Sequence, residues 1–440
     1  MLENWEVIMG CAFVILRSVV ALILGVVVFL GFLFLLLLYN VSDKLLSADF
    51  YTDTINGEDT YNRIYNEVLL DQNLERTTQD LLGNVQVLSQ AEVVGLVKQI
   101  LPPQYLQSQV EGSIQRTVDY LNEDRDNLDV YIELGAPLDK VKPVLLAYIN
   151  KRIEQLPVIE PVVSRCDAQV LQDVAGQYEG IYRGLIDGKM PDSIPSFKAI
   201  AQPCRIAIFD ILFQQLTNDP SLEPRVKAGL RERRSEIRQE FFEGDTTGVW
   251  QAAAPAVATP LMDDAIAQIK AKLDDGNRLD LIHRFAVWSD GVTEPELRSN
   301  IATARDRLNT GRKFGKPAAL AMLIAGSILL GLIHFPSLKN GLRWPGLTLF
   351  LTGLVIFIGG KVMESQLPGR LRELVAHRAG QVSDIPPSVT DLVGDLLVSF
   401  GNQLAEGIAA PALILLIVGA LLFGASFFVF RLSRFIPGVR

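Results

Sequence analysis

Four apolar spans, unevenly spaced, dominate the pattern of hydrophobic and polar positions along the 440-residue chain. The first covers residues 19–39, and the other three, 317–335, 344–360 and 412–430, crowd toward the C-terminus. A bilayer core of about 30 Å requires about 20 apolar helical residues, and each span meets or nearly meets that length. The pattern therefore predicts a multi-pass membrane protein with a large domain between its first two spans.

Most of that domain has the periodicity of amphipathic helices, as in residues 104–121 and 138–156, where apolar side chains recur every three or four positions. One stretch, residues 128–134, alternates apolar and more polar side chains instead, and residues 279–281 repeat the alternation weakly. Alternation is the period of a half-buried strand. We expect the two strands to pair as a small β-hairpin; whether they come from an internal helix–strand–helix duplication or from coincidence stays open.

The predicted fold class is mainly α, with one N-terminal and three C-terminal transmembrane helices and a large, mostly helical extracytoplasmic domain. Glycines 244 and 248, followed by the alanine-rich run 252–256 with its Pro255, indicate a hinge that would divide this domain into two lobes. The predicted segments, in order, are an interfacial cytoplasmic segment 1–17, a signal anchor 18–40, the domain 41–297, a neck 298–316, spans 317–335 and 344–361, an outer loop 362–410, a span 411–430 and a cytoplasmic tail 431–440.

Residues 387–405 of the outer loop have the pattern of an amphipathic helix, which could lie on the bilayer or dock under the outer domain. The third span carries Gly346, Gly353 and Gly360 at seven-residue spacing along one face. Small residues in such a row let transmembrane helices approach closely. We therefore expect these three glycines to form a helix-packing surface.

Charge is divided between the domain and its neck. Residues 41–297 hold 41 acidic and 25 basic residues, a net charge of −16, whereas residues 298–316 hold six basic and one acidic, a net of +5. An acidic body excludes nucleic-acid binding, which requires a basic surface. The neck would either meet anionic lipid headgroups or form a solvated helix face. Its candidate basic residues are Arg305, Arg307, Arg312, Lys313 and Lys316.

The orientation of the chain follows from lysine and arginine counts in the short connecting segments. Arg17, two basic residues between the second and third spans and three in the C-terminal tail fall on one side of a four-pass topology. This count predicts cytoplasmic termini, a cell-membrane location and a domain outside the cytoplasm. The neck and the outer loop argue the other way, but long domains translocate largely regardless of their charge.

Cys166 and Cys204 are the only two cysteines of the domain, and both lie near prolines. Their disulfide would close a loop of about 38 residues and would suit an oxidising exterior, where it would contribute about 3–4 kcal/mol. Two unrelated buried thiols are the alternative interpretation.

Catalytic signatures are missing from the sequence. The motifs of zinc proteases, thiol oxidoreductases, nucleophile elbows and phosphate-binding loops do not occur. The acidic run 124–129 begins like a calcium-binding loop but has leucine at the third ligand position, so a surface turn is favoured. The four spans contain no Asp, Glu, Lys or Arg, which argues against an ion-coupled carrier.

Three classes of function remain open. The leading one is a non-enzymatic interaction or scaffold protein whose acidic domain binds a protein partner or a second copy of the chain. The second is a lipid- or apolar-ligand-binding envelope protein, which a contiguous apolar cavity would favour. The third is an accessory subunit of a membrane transport or enzyme complex. In all three we expect the lipid bilayer as a partner and no catalytic residue, cofactor, metal ion or nucleic acid.

Overall fold

The computed structural model describes residues 2–40, 44–72, 89–159, 167–186, 191–198, 200–288, 292–334, 338–379 and 386–432. It is 83% helix and 3% strand, so the prediction of a mainly α chain is confirmed. Cys166 and residues 433–440 of the predicted tail lie outside the described residues.

Helices and short strands alternate as follows. The helices are α1 (Leu2–Asn40), α2 (Ala48–Gly57), α3 (Thr60–Arg63), α4 (Gln90–Ile100), α5 (Pro103–Leu121), α6 (Gly135–Glu154), α7 (Ala168–Ile186), α8 (Gln202–Asn218), α9 (Pro224–Glu232), α10 (Arg234–Glu243), α11 (Thr246–Lys270), α12 (Leu281–Trp288), α13 (Glu294–Thr310), α14 (Lys316–Ile333), α15 (Leu338–Ala379) and α16 (Pro387–Leu432). The strands are β1 (Tyr131–Glu133), β2 (Val158–Ile159), β3 (Ile194–Pro195) and β4 (Arg278–Asp280). Two π-helical turns lie at Ile64–Val68 and Gly311–Gly315.

The chain divides into two compact units. Unit 1 comprises Met1–Thr60, Glu111–Val130 and Phe285–Arg440, and unit 2 comprises Tyr61–Val110 and Tyr131–Arg284. The predicted spans therefore belong to unit 1, and most of the predicted outer domain belongs to unit 2.

Unit 1 contains the four apolar helices. Among the described residues, four helices are long and apolar enough to cross a bilayer: they lie in Arg17–Asn40, Glu294–Ile333, Asn340–His377 and Pro387–Phe428. Three of them run well beyond the predicted spans, because polar residues end an apolar stretch without ending a helix. The second is a continuous helical run of 40 residues in which α13 passes through the π-helical turn into α14.

The predicted amphipathic helix of the outer loop is the first part of α16 and continues without a break into the fourth span. Its apolar face packs on α2 within unit 1. The ring of Phe400 lies 5.3 Å from that of Phe50 and 5.8 Å from that of Tyr51. Gln403 Nε2 donates a hydrogen bond to Thr54 Oγ1 at 2.6 Å. This segment therefore contacts α2, which lies near the start of the predicted outer domain.

Strands β1 and β4 pair in unit 2, as the alternating residues predict. The ladder is antiparallel, with Tyr131 opposite Asp280 and Glu133 opposite Arg278. The expectation of a hairpin is wrong, because α6 to α11 all lie between the two strands in sequence. A second ladder, β2 with β3, is parallel and pairs Val158 with Ile194; the sequence pattern gave no sign of it.

The predicted hinge at residues 244–258 is also wrong. Helix α11 starts at Thr246 and continues through Pro255 and Pro260. Asp245 caps its first turn by accepting a hydrogen bond from Gly248 N at 3.0 Å. Ala252 and Ala256, on either side of Pro255, are buried in the core of unit 2, and Ala253 packs against it. Packing of this face outweighs the cost of the two prolines, so the alanine-rich run forms a helix.

Candidate functional site

The core of unit 2 is built around a cluster of aromatic rings. Phe197 lies at its centre, with its ring 4.8 Å from that of Tyr178 and 3.9 Å from that of Phe241. Phe209 of α8 adds a contact with Phe241 at 5.7 Å. All four side chains are nearly fully buried. Helices α7, α8 and α10 thus meet around the loop that follows β3.

One arginine holds this loop in place. The Arg205 guanidinium donates to the backbone carbonyls of Ile200 at 2.7 Å, Phe242 at 2.8 Å and Lys198 at 3.0 Å. The chain can pass this close to Arg205 because Gly244, at φ +80, ends α10 in the left-handed conformation, and a methyl group there would lie 2.7 Å from the guanidinium. Two of these hydrogen bonds hold the loop that carries Phe197, and the third joins it to the end of α10.

An apolar cavity of about 340 Å³ lies beside this core. Its lining comes from α6 to α11 and from the loop around β3, and it consists almost entirely of aliphatic and aromatic side chains. The buried Leu212, Ile237 and Val249 lie on the inner side, while Leu261 is 59% exposed. The cavity thus extends from the core of unit 2 to its surface. Its volume lies near the lower end of the range of about 300–1,000 Å³ typical of small-molecule sites.

A small polar group borders the cavity where α6 meets α4. Tyr148 OH donates to Glu92 Oε1 at 3.0 Å, and Arg152 Nη1 lies 3.9 Å from the same oxygen. Glu92 also belongs to the capping box of α4, where its Oε2 accepts from Ser89 N at 2.9 Å. Tyr148 and Arg152 line the cavity, so this group gives one side of an apolar site a polar border.

The electrostatics of this group follow from its hydrogen bonds. Donation from the backbone N–H of Ser89, and then from its hydroxyl, lowers the pKa of Glu92. Burial raises the pKa of Tyr148, and the bond to Glu92 raises it further. Burial also raises the pKa of Tyr178 in the core. At neutral pH the two phenols stay protonated and Glu92 stays ionised, which leaves Arg152 as the charged side chain of the cavity lining.

The predicted disulfide involves this unit. Cys204 is fully buried in the aromatic core and is disulfide-bonded. Because Cys166 lies outside the described residues, the pairing of the two cysteines stays a prediction.

The basic neck contacts the acidic turn that follows α5, within unit 1. Lys313 Nζ lies 2.7 Å from Glu123 Oε2, and this hydrogen bond lowers the pKa of Glu123. Arg312 Nη1 donates to Asn122 Oδ1 at 2.8 Å. Arg305 donates to the carbonyl of Arg125 at 3.2 Å and lies over the ring of Tyr120; Lys316 lies over the ring of Tyr39, and Arg307 is exposed.

These contacts account for the positive charge of the neck and the negative charge of the acidic run. The C-terminal end of a helix carries partial negative charge and unsatisfied carbonyls, so cations beside it are stabilising. Within the part of the chain that the structure describes, no three His, Cys, Asp or Glu side chains are grouped as a metal site. The acidic run 124–129 is a turn at the end of α5, and the basic neck faces it.

The three glycines of the third span face α16. A methyl group on Gly346 would lie 2.5 Å from the backbone N of Phe423, and one on Gly353 would lie 2.5 Å from that of Leu416. Gly360 is less tight, with Ala409 at 3.6 Å. At the first two positions a side chain would overlap backbone of the neighbouring helix.

Comparisons with protein-family models, with curated proteins and with solved structures find nothing that matches this chain.

Sequence reasoning missed the cavity and its polar border. The helix predicted over residues 138–156 is found as α6, but the prediction rested on the stripe of its apolar side chains and did not consider Tyr148 or Arg152. A weak signal exists, because the two are four residues apart and border that stripe. Their partner Glu92 lies on another helix, and nothing in the spacing of the sequence connects them.

Proposed function

We propose that this chain is a membrane-anchored protein that binds an apolar ligand, a single acyl chain, in unit 2. The observation that carries the proposal is the apolar cavity of about 340 Å³ beside the aromatic core. An apolar chain entering such a cavity gains free energy in proportion to the apolar area removed from water. The size of the cavity favours one chain over the two chains of a membrane phospholipid.

Two further features support this assignment. Arg205 and the disulfide-bonded Cys204 hold the core beside the cavity, so the cavity is built on a fixed frame. The four apolar helices of unit 1 provide the membrane anchor, and the lysine and arginine count favours unit 2 outside the cytoplasm. The scaffold and accessory-subunit interpretations stay predictions, and no contact of the described residues favours either.

Filling the cavity tests the proposal. The full chain in phosphatidylcholine nanodiscs is exposed to a photoactivatable hexadecanol, and labelled peptides are mapped. We expect labelling of α6 and α11 peptides in the wild type. Ala253, on α11, lines the cavity, so Ala253→Phe should remove most of that labelling. The transmembrane peptides, which meet the probe in the bilayer, should remain labelled and serve as an internal reference.

The control is Ala267→Phe, the same substitution at an exposed position on α11, which should label like the wild type. The smaller Ala258→Leu, also in the lining, covers the case in which Ala253→Phe does not fold. Labelling confined to the transmembrane peptides, or unchanged α6 and α11 labelling in a folded Ala253→Phe chain, would contradict the proposed function.

A further inference from the structure

Two buried N–H donors without an acceptor are found in the cavity lining. Arg152 Nε and Trp250 Nε1 are inaccessible to solvent and have no hydrogen-bond partner in the structure. The rest of the lining is almost entirely apolar, so it offers neither donor a hydrogen-bond acceptor. Buried donors without acceptors cost free energy and are uncommon in folded proteins, which makes two in one cavity a feature that needs an explanation.

The two donors lie on helices that contact each other. Arg152 is on α6 and Trp250 is on α11, and the next residue of α11, Gln251, donates from Nε2 to Glu154 Oε1 at 2.9 Å. Glu154 is two residues after Arg152 on α6. This bond holds α6 and α11 together one residue from Trp250 and two residues from Arg152.

Glu92 does not provide the missing acceptor. Its Oε1 lies 3.9 Å from Arg152 Nη1, which is an ion pair beyond hydrogen-bonding distance. That oxygen accepts a short bond from Tyr148 instead, and Oε2 accepts from Ser89. The Nε–H of the guanidinium therefore has no acceptor. A small anionic acceptor would satisfy this donor and would complement the positive charge of Arg152.

We propose that the ligand is a long-chain fatty acid, whose carboxylate accepts hydrogen bonds from Arg152 Nε and Trp250 Nε1 while its chain fills the cavity. The proposal rests on the proposed function and names its substrate class. A carboxylate supplies two acceptor oxygens, one for each donor, and its negative charge is opposite to the positive charge of the guanidinium. A fatty alcohol offers one hydroxyl without charge, and a fatty ester offers acceptors without charge. The head group should therefore decide the affinity.

Three photoactivatable probes with the same chain separate the alternatives: hexadecanoic acid, its methyl ester and hexadecanol. They are applied to the full chain in nanodiscs, and labelling of α6 and α11 peptides is measured against probe concentration. We expect the acid to label at about ten-fold lower concentration than the alcohol or the ester, as hydrogen bonds to a charged group allow. Trp250→Phe, which keeps an aromatic side chain of smaller size and removes the N–H, and Arg152→Gln should each remove most of that advantage.

Labelling by the alcohol is the folding control in these variants, because it needs the cavity but neither donor. Arg231→Gln removes a positive charge at an exposed position of unit 2 and should leave the preference for the acid unchanged. Equal labelling by acid, ester and alcohol in the wild type, or equal losses of acid and alcohol labelling in both variants, would overturn the fatty-acid assignment while leaving an apolar site. Absence of cavity labelling by any probe would overturn the proposed function itself.

Discussion

Glu92 connects the start of α4 to α6 through both of its carboxylate oxygens. Oε2 accepts from the backbone N–H and the hydroxyl of Ser89, and Oε1 accepts from Tyr148. The capping box satisfies donors at the helix start that would otherwise lack partners. This residue therefore stabilises one helix locally and a second helix across the fold.

Replacing Glu92 with Gln should weaken α4 in a pH-dependent way. The bonds from Ser89 lower the pKa of the folded carboxyl, so its stabilisation is complete at neutral pH and is lost as the pH falls through and below the ordinary range of glutamate. At pH 7 we expect the amides of α4 to lose about 1 kcal/mol of protection against hydrogen exchange. The exposed Glu232→Gln is the control. A loss of equal size at pH 7 and near pH 4 would contradict this account.

The neck shows where residue-level prediction stops. From the sequence, only lipid headgroups or water were considered as the surroundings of its basic residues. Arg312 and Lys313 instead contact Asn122 and Glu123, which are about 190 residues away in the sequence. Charge composition reveals that opposite charges exist in a chain, whereas their pairing depends on the path of the backbone.

At the scale of whole elements, long apolar runs and regular alternation predicted helices and strands correctly. The local glycine and proline signals for a hinge did not. The four apolar helices follow from runs longer than a bilayer core, and β1 and β4 follow from alternation. The hinge at Pro255 failed because buried alanines hold α11 in a continuous helix. The cavity could not be predicted, since its lining residues come together only once α6 to α11 have packed.

The packing of α15 on α16 gives a prediction at this scale. Gly353→Ala places a methyl group 2.5 Å from backbone of α16, so the two helices must separate. Overpacking of this kind costs about 1–3 kcal/mol. Thermal denaturation of the full chain in detergent should show a lower midpoint for this variant.

Gly359, on the same helix, is the matched control. Nothing lies within 4 Å of a methyl group at that position. Gly359→Ala should therefore be neutral or stabilising, because alanine is favoured over glycine in a helix interior by about 0.5–1 kcal/mol. Equal destabilisation by the two substitutions would rule out close packing as the role of Gly353.

For the molecule as a whole, the untested prediction is the side of the membrane that unit 2 occupies. Ser235 is exposed on α10 of unit 2, so a cysteine introduced there should react with a membrane-impermeant thiol reagent in intact cells. A cysteine at Asn340, between the second and third spans, should react only after permeabilisation. The reverse pattern at the two positions would invert the topology, and the wild-type chain gives the background from its own cysteines.

The ladder between β1 and β4 has a consequence for the order in which this protein forms during synthesis. β1 leaves the ribosome long before β4, because six helices are made in between. Until β4 is made, β1 has no strand to pair with. Contacts between residues this distant in sequence form late, because a long loop must close first. The next long helix made after β4 contains the second membrane span. Closure of unit 2 and insertion of the second span are therefore consecutive events. If the pairing of β1 with β4 is delayed, the second span starts to enter the membrane while unit 2 is still incomplete.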